Sequence, residues 1–451
     1  MKELSKGKVW CFAVGQFGWS ILSALLSSWL VNFYQPDNAA INAGQPLFIP
    51  QGRVVFGAIT VLGAITAFGR IFDAITDPLI ASASDRSMSK RGRRISFMRA
   101  AAIPFAAATV LTFWSPVNGT SAVNAVFLFI MVTLFYLFMT MYCTPYTALI
   151  PELGVNQKLR LQISTSISFT YIAGMAFAYL APVIWGLLEV PLGRVTAIRV
   201  TFTIMALIAV ACMFVPVFTI NEKEYVKSVP TKATAFRSLG ATFRNADFRA
   251  FVASDVAYFL ALTMFQTALP FFVTSLLGLK ESMSTVFFVL MTALSVIFYV
   301  PVGKMSLKYG KKKPILLGFG IFTAAFLYSG FLGKISPLSP MVQGYILCIL
   351  SAFPLAAFGI LPQAVVADIA ECDELETGEN HAGMFYAART FAFKLGQSLS
   401  MLIVTAFATI GRDTGFGYRM IAVGASIVCF IGGLLFMIYN EKRVYSKIIK
   451  Q

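Results

Sequence analysis

Charge is what this chain has least of. Only 12% of its 451 residues are Asp, Glu, Lys or Arg, against about one quarter in an ordinary soluble domain. So few ionisable groups cannot coat a water-exposed surface of this size. That excludes a soluble enzyme and a disordered chain. Histidine occurs once, at His381 in a polar stretch, so no proton relay through histidine is expected. The six cysteines contain no CxxC pair, and five of them sit in apolar runs. A disulfide scaffold and a zinc centre are therefore not expected. No GxxxxGK[ST] loop is present, so ATP hydrolysis by this chain has no support. No Ser/His/Asp set or two-metal constellation stands out. No enzymatic activity and no cofactor are expected.

What remains is abundant apolar sequence. Apolar residues make up 58%, with 43 Phe and 33 Gly. This composition points to an all-α polytopic membrane protein. Spanning the bilayer takes roughly 20 mostly apolar residues. Twelve such segments run over 9–34, 53–82, 95–115, 122–150, 161–188, 196–220, 250–277, 283–303, 314–333, 341–369, 382–410 and 416–440. The basic start, Met1 to Lys8, leads into an apolar run longer than a signal peptide carries, so it is read as a retained first span.

The formal net charge is +16, which in a soluble protein would suggest nucleic acid. Its distribution gives another cause. With the N-terminus cytoplasmic, 26 of the 36 Lys and Arg fall in inside segments and seven outside. Three lie within spans: Arg70, Arg389 and Lys394. The bias predicts both termini inside the cell membrane and removes the need for a nucleic-acid partner. The loop 371–381 is acidic, but acidic residues contribute little to orientation.

The longest polar stretch separates six spans from six. It divides the chain into an N-terminal six-helix bundle (1–220), a cytoplasmic linker (221–249) and a C-terminal six-helix bundle (250–451). The halves echo each other. Asp85-Arg86-Ser-Met-Ser-Lys90-Arg91-Gly92-Arg93-Arg94 follows the second span. Lys304-Met-Ser-Leu-Lys308-Tyr-Gly310-Lys311-Lys312-Lys313 follows the eighth. Parallel repeats of six spans describe the major facilitator architecture.

Ionised residues within spans cost about 2.5–3.5 kcal/mol each at the helix centre and are functional candidates. Gly69-Arg70-Ile-Phe-Asp73-Ala-Ile-Thr-Asp77-Pro78 holds three. Asp73 and Asp77 are i and i+4, one turn apart on one helix face. Two carboxylates this close repel unless a cation or proton lies between them. Hard oxygen ligands in so small a number suit Na⁺, Li⁺ or H⁺ rather than Mg²⁺. The alternative is a buried Arg70–Asp73 pair with Asp77 capping the helix end. Lys394 stands eleven residues past Gly383, about 16 Å along the helix. There it faces the interior, to pair with an aspartate or hold an anionic or hydroxylated solute, or else it snorkels to the interface. Arg389 is nearer the interface and either role fits. Asp255 and Asp368, at span ends, read as interfacial. Thr140, Tyr142, Cys143 and Pro145 either line a cavity or pack helices.

The Asp73-x3-Asp77-Pro78 element, with Ser84-Asp85-Arg86 and Gly92-Arg93-Arg94, resembles the glycoside–pentoside–hexuronide:cation symporters, the melibiose-permease-like branch of the major facilitator superfamily. Thr144-Pro-Tyr-Thr-Ala-Leu-Ile-Pro-Glu152, Ala367-Asp368 with Asp373-Glu374 and Thr377-Gly378, and Phe385-Tyr-Ala-Ala-Arg389-Thr with Lys394-Leu-Gly396 extend the resemblance over nearly the whole chain. It implies that Asp73 and Asp77 bind the coupling cation and that Lys394 communicates with cation and sugar. Three positions depart from the family pattern. Ser20 stands in place of a first-span acid, Cys143 in place of a fourth-span acid, and Ile167 or Ser168 near a fifth-span Arg. Losing those groups should change the solute, so melibiose itself is not expected.

The expectation is cation-coupled symport of a small solute, a sugar, glycoside or uronide, by alternating access. Asp73, Asp77 and Thr140 bind Na⁺ or H⁺. Lys394, Arg70, Arg389, Ser20, Cys143 and Tyr142 serve the solute or the coupling. A single copy in the lipid bilayer is expected to suffice. The alternatives are a cation-dependent transporter of lysophospholipid or another amphipathic solute, and an uncoupled lipid flippase.

Overall fold

The computed structural model describes residues 3–55, 59–87, 89, 92–154, 157–225, 242–377 and 382–448. His381 and residues 226–241 of the predicted linker lie outside them. The chain divides into two compact units. One comprises Met1–Val55 and Ala64–Ala233, the other Phe56–Gly63 and Thr234–Gln451.

In the first unit the long helices, at the positions of the predicted spans, are α1 (Lys6–Tyr34), α3 (Val61–Arg86), α4 (Arg93–Thr112), α5 (Ala122–Leu153), α6 (Gln157–Tyr179) with α7 (Ala181–Leu192), and α8 (Arg194–Thr219). Two short helices, α2 (Asn38–Asn42) and α9 (Glu222–Tyr225), complete it. In the second they are α10 (Ala246–Phe271, extended by a π-turn Phe272–Leu276), α11 (Met283–Tyr309), α12 (Lys312–Gly330), α13 (Pro340–Thr377), α14 (Ala382–Phe407) and α15 (Phe416–Ile438). A short α16 (Glu441–Ile448) follows.

Eleven helices among the described residues are long and apolar enough to cross a membrane. Of the twelve predicted spans, the one outside that set is α3. It has 26 residues, about 39 Å of helix, so length is not the obstacle. Its first 18 residues hold Arg70, Asp73 and Asp77. The charges that mark the site are what keep this span out of that set.

Several predicted boundaries move. The second span starts at Val61 instead of 53, because Arg53–Val55 and Ile59–Thr60 are strands. The fifth breaks at Leu180, two residues before Pro182, whose ring cannot follow a helical turn without losing a hydrogen bond. The acidic segment read as a loop from residue 371 continues α13 to Thr377. The polar linker is invaded by α9 at one end and by Ala246, where Asn245 caps α10 by accepting from the Phe248 N–H, at the other.

The same packing recurs in each unit. The first span meets the fifth and sixth (α1 on α6 and α8; α10 on α14 and α15), and the third meets the fourth and sixth (α4 on α5 and α8; α12 on α13 and α15). The loop after each second span is held by one device. Gly92 has φ +112° and admits Glu222, which accepts the N–H groups of Arg94 (2.9 Å) and Ile95 (3.0 Å). Gly310, at φ +81°, admits Glu441, which accepts those of Lys311 (2.5 Å) and Lys312 (3.2 Å). A carboxylate satisfies the orphan donors of a helix N-terminus and complements its dipole. The basic residue after each glycine pairs with an acid near the end of the fourth span of its unit. Arg93 meets Glu152 at 2.7 Å and Lys311 meets Asp368 at 2.5 Å. Both capping acids stand in an Asn-Glu-Lys run just past a sixth span, Asn221-Glu222-Lys223 and Asn440-Glu441-Lys442.

Candidate functional site

The site is built on α3 and α5. Helical spacing puts Asp73 and Asp77 one turn apart on α3, and Thr140 and Thr144 one turn apart on α5. The two pairs match rung for rung. Thr140 Oγ1 donates to Asp73 Oδ1 at 2.9 Å, and Thr144 Oγ1 donates to Asp77 Oδ1 at 3.2 Å. Thr76 adds a third hydroxyl, 3.4 Å from Thr140 Oγ1. Asp73 is fully buried (0% exposed) and Asp77 half-buried.

Close approach of the two helices depends on Gly69. A Cβ there would lie 2.6 Å from Cε2 of Tyr136. Pro145, inside α5, has no N–H to offer the carbonyl of Met141. That carbonyl lies between the two threonines in sequence and is left to other partners. The local design is thus two carboxylates, three hydroxyls and one backbone oxygen released from its helix.

Arg70 does not pair with Asp73. Its guanidinium lies over the Tyr136 ring, 5.3 Å from the centroid. Among the described residues its side chain makes no hydrogen bond or ion pair, and its Nε is buried without a partner. The alternative of a buried Arg70–Asp73 pair is therefore not the arrangement found.

The other predicted residues divide. Thr140 joins the cluster. Ser20 is buried and donates to the carbonyl of Phe17 in its own helix at 2.9 Å. Tyr142 is fully buried and donates to the carbonyl of Met213 on α8 at 2.8 Å, tying two helices together. Cys143 is half-buried on α5. In the second unit, Arg389 is bidentate to Asp255, at 2.7 and 3.0 Å, between the rings of Phe251 and Phe259. Both charged groups are buried. Asp255 is thus buried within the unit, with its partner on α14. Lys394, five residues further along α14, is half-buried.

Two contributors escaped sequence reasoning. Thr144 stands i+4 from Thr140, the spacing of the aspartates, and that match was the available signal. Asp255 gave none, since nothing in α10 points to Arg389, 134 residues away.

Comparison with known proteins agrees in kind. The family model described as MFS/sugar transport protein matches residues 11–440. An uncharacterized symporter of Bacillus subtilis, YjmB, is 24% identical over 408 residues, covering 88% of this chain and 82% of that one. YagG of Escherichia coli K12, provisionally named a glycoside/cation symporter, is 23% identical over 358 residues, 78% of this chain and 75% of that one. The sodium-dependent lysophosphatidylcholine symporter 1 of Xenopus tropicalis is 22% identical, covering 97% and 88%. Among solved structures, a variant of the nucleoside transporter NupG superposes with a TM-score of 0.67 at 10% identity, over 96% of this chain and 100% of that one. At that identity the likeness shows the fold.

Proposed function

We propose that this chain, which belongs to the MFS/sugar transport protein family, is a cation-coupled symporter of a sugar-type solute, with its coupling cation held by Asp73 and Asp77. The observation that carries the reading is the pair of Asp–Thr rungs between α3 and α5. A threonine hydroxyl donates to a carboxylate when no cation is present and turns a lone pair to the cation when one is. Two carboxylates and two hydroxyls therefore form a ready set of oxygen ligands for a monovalent ion. The hydroxyls would add nothing to the holding of a bare proton, so the set favours Na⁺. The relative from Xenopus tropicalis named for its sodium dependence supports the same choice.

Cation binding relieves the repulsion of the two acids and restores the charge balance of α3. Transport would then proceed by alternating access. The coupling is reciprocal. Na⁺ tightens solute binding by the factor by which solute tightens Na⁺, typically about 5- to 150-fold. Lys394, half-buried on α14, is assigned to the coupling by the family resemblance alone. Arg389, locked to Asp255, serves it by shaping α10 and α14 rather than by touching solute. The charge bias supports both termini inside the cell membrane. The two capped loops stiffen each unit on that side. A single copy suffices for transport.

A second reading has one supporting observation. Ser20 and Tyr142 are engaged in helix packing, and Cys143 carries no charge, so these three positions add little polar recognition. That suits an amphipathic solute. The test is uptake of labelled sugars, sugar acids and lysophosphatidylcholine into proteoliposomes, with an inward Na⁺ gradient and without one. Gradient-driven accumulation of a sugar or sugar acid supports symport. Uptake of every solute to equilibrium only, whatever the gradient, would exclude coupling.

A further inference from the structure

Arg99 is the lone charge on an exposed stripe of α4. Residues 99, 103, 107 and 111 follow one another four apart, the spacing of a single helix face, and all four are exposed. Past Arg99 the stripe is apolar: Ile103, which is 59% exposed, Ala107 and Leu111. Charged groups in membrane-spanning helices ordinarily face the interior or pair with one another. The arginines that open the same helix obey this. Arg93 meets Glu152, and Arg94 meets Asp85 and Glu152. Arg99 does neither. Among the described residues its guanidinium has no ion pair and no hydrogen bond.

The guanidinium borders a cavity of about 970 Å³ where α4 packs on α8. Ser89, Ser96 and Asn221 line it beside Arg99, and Val217 and Phe218 form its apolar wall. The side-chain amide of Asn221 is exposed and also lacks a hydrogen bond among the described residues. Phe218 is 71% exposed, with its ring stacked 5.4 Å from that of Phe214. The cavity therefore joins two kinds of surface. One offers a free guanidinium, a free amide and two hydroxyls. The other offers exposed rings and aliphatic carbon.

We propose that this cavity binds an anionic phospholipid of the inner leaflet, with its phosphate on Arg99 and Asn221 and an acyl chain against Phe218 and the stripe from Ile103 to Leu111. The bias of Lys and Arg puts this end of the unit on the cytoplasmic side, and basic pockets between spanning helices on that side attract anionic headgroups. The planar fork of Arg fits two phosphate oxygens, and the charge makes those bonds about twice as strong as neutral ones. A soluble phosphate would use the polar part alone. Covering the exposed rings requires hydrocarbon. The position also matters to the fold. Ser89 stands in the loop that Gly92 closes, and Asn221 directly precedes Glu222, the acid that caps α4. A headgroup held by Arg99, Ser89 and Asn221 would fasten the loop, α4 and the end of α8 together. This site is independent of the symport reading and requires only that the helices span a membrane.

The test uses the purified full chain in neutral detergent, stripped of copurified lipid, with dioleoyl phosphatidylglycerol or dioleoyl phosphatidylcholine added back. The thermal midpoint follows binding, and native mass spectrometry counts the lipid retained. Phosphatidylglycerol should raise the midpoint saturably, with phosphatidylcholine about tenfold weaker. Arg99→Gln should weaken phosphatidylglycerol about tenfold, and Arg99→Lys should keep part of the affinity. Asn221→Ala should act in the same direction, and Phe218→Ala should weaken both lipids alike. Lys304→Gln, which removes an exposed charge from α11 in the other unit, should change nothing. Glycerol phosphate and inorganic phosphate should leave the midpoint where it is. The proposal is overturned if phosphatidylcholine binds as tightly as phosphatidylglycerol, or if Arg99→Gln keeps the wild-type affinity. It is equally overturned if Lys304→Gln loses as much as Arg99→Gln, or if free phosphate gives the full shift. Should the Arg99 variants fail to fold, the wild-type preference and Asn221→Ala decide: no preference, or no effect of Asn221→Ala, overturns it.

Discussion

Thr140 donates to the carboxylate of Asp73 across 2.9 Å, and both residues are buried, at 1% and 0% exposure. The donor is a neutral hydroxyl, and it is a donor that can become a ligand. A Lys or Arg in its place would neutralise the acid permanently. The hydroxyl leaves it available to a mobile cation.

Thr140→Ala should weaken Na⁺ binding by roughly tenfold, the worth of one hydrogen-bonding oxygen at a charged site. Thr140→Ser, which keeps the oxygen, should stay near wild type. Thr144→Ala should have the smaller effect, because its rung is longer and Asp77 is half-buried. The Na⁺-dependent midpoint shift of each variant measures this. Equal shifts for Thr140→Ala and wild type would remove Thr140 from the site.

The Asp255–Arg389 pair makes a different prediction. Breaking a buried pair strands the surviving charge and costs about 3–5 kcal/mol. Arg389→Met alone should therefore lower thermal stability sharply. Adding Asp255→Leu should recover most of the loss, since an apolar pair of similar volume is often neutral or better. If Arg389→Met unfolds at the wild-type midpoint, Arg389 is not a packing charge and must be reconsidered as a solute contact.

The loop glycines make a third. Gly92→Ala forces a side chain into φ +112° and places its Cβ 2.5 Å from Glu222 Oε2. Strained backbone of this kind costs about 1–3 kcal/mol. Gly310→Ala should behave alike, with Glu441 in the role of Glu222. Expression and midpoint of the two variants should fall in parallel. A large loss in one and none in the other would show that the device is not equivalent in the two units.

Much of this was legible without coordinates, for a physical reason. The bilayer demands long apolar helices, so eleven of twelve predicted spans pass a test of length and hydropathy. The exception, α3, fails because Arg70, Asp73 and Asp77 lie in it, and those residues were what singled it out as the site. Pairings between distant helices were not legible. Neither Glu222 nor Glu441 stood out in the sequence as a loop cap, although the repeated Asn-Glu-Lys run after each sixth span was there to be read. The pairing of Asp255 was hidden because its partner, Arg389, comes from a helix that sequence order does not bring near. Ser20 was placed at a solute position by the family resemblance, and Tyr142 was read as either lining a cavity or packing helices; the structure commits their hydroxyls to the carbonyls of Phe17 and Met213.

The most direct test of the central claim is calorimetric titration of Na⁺ into purified wild-type protein and into its Asp73→Asn and Asp77→Asn variants. Asparagine keeps the shape and can still accept from a threonine, so folding should survive while the ligand charge is lost. The account predicts saturable Na⁺ binding to the wild type and none measurable to Asp73→Asn, with Asp77→Asn strongly weakened. Unchanged Na⁺ affinity in both variants would contradict it.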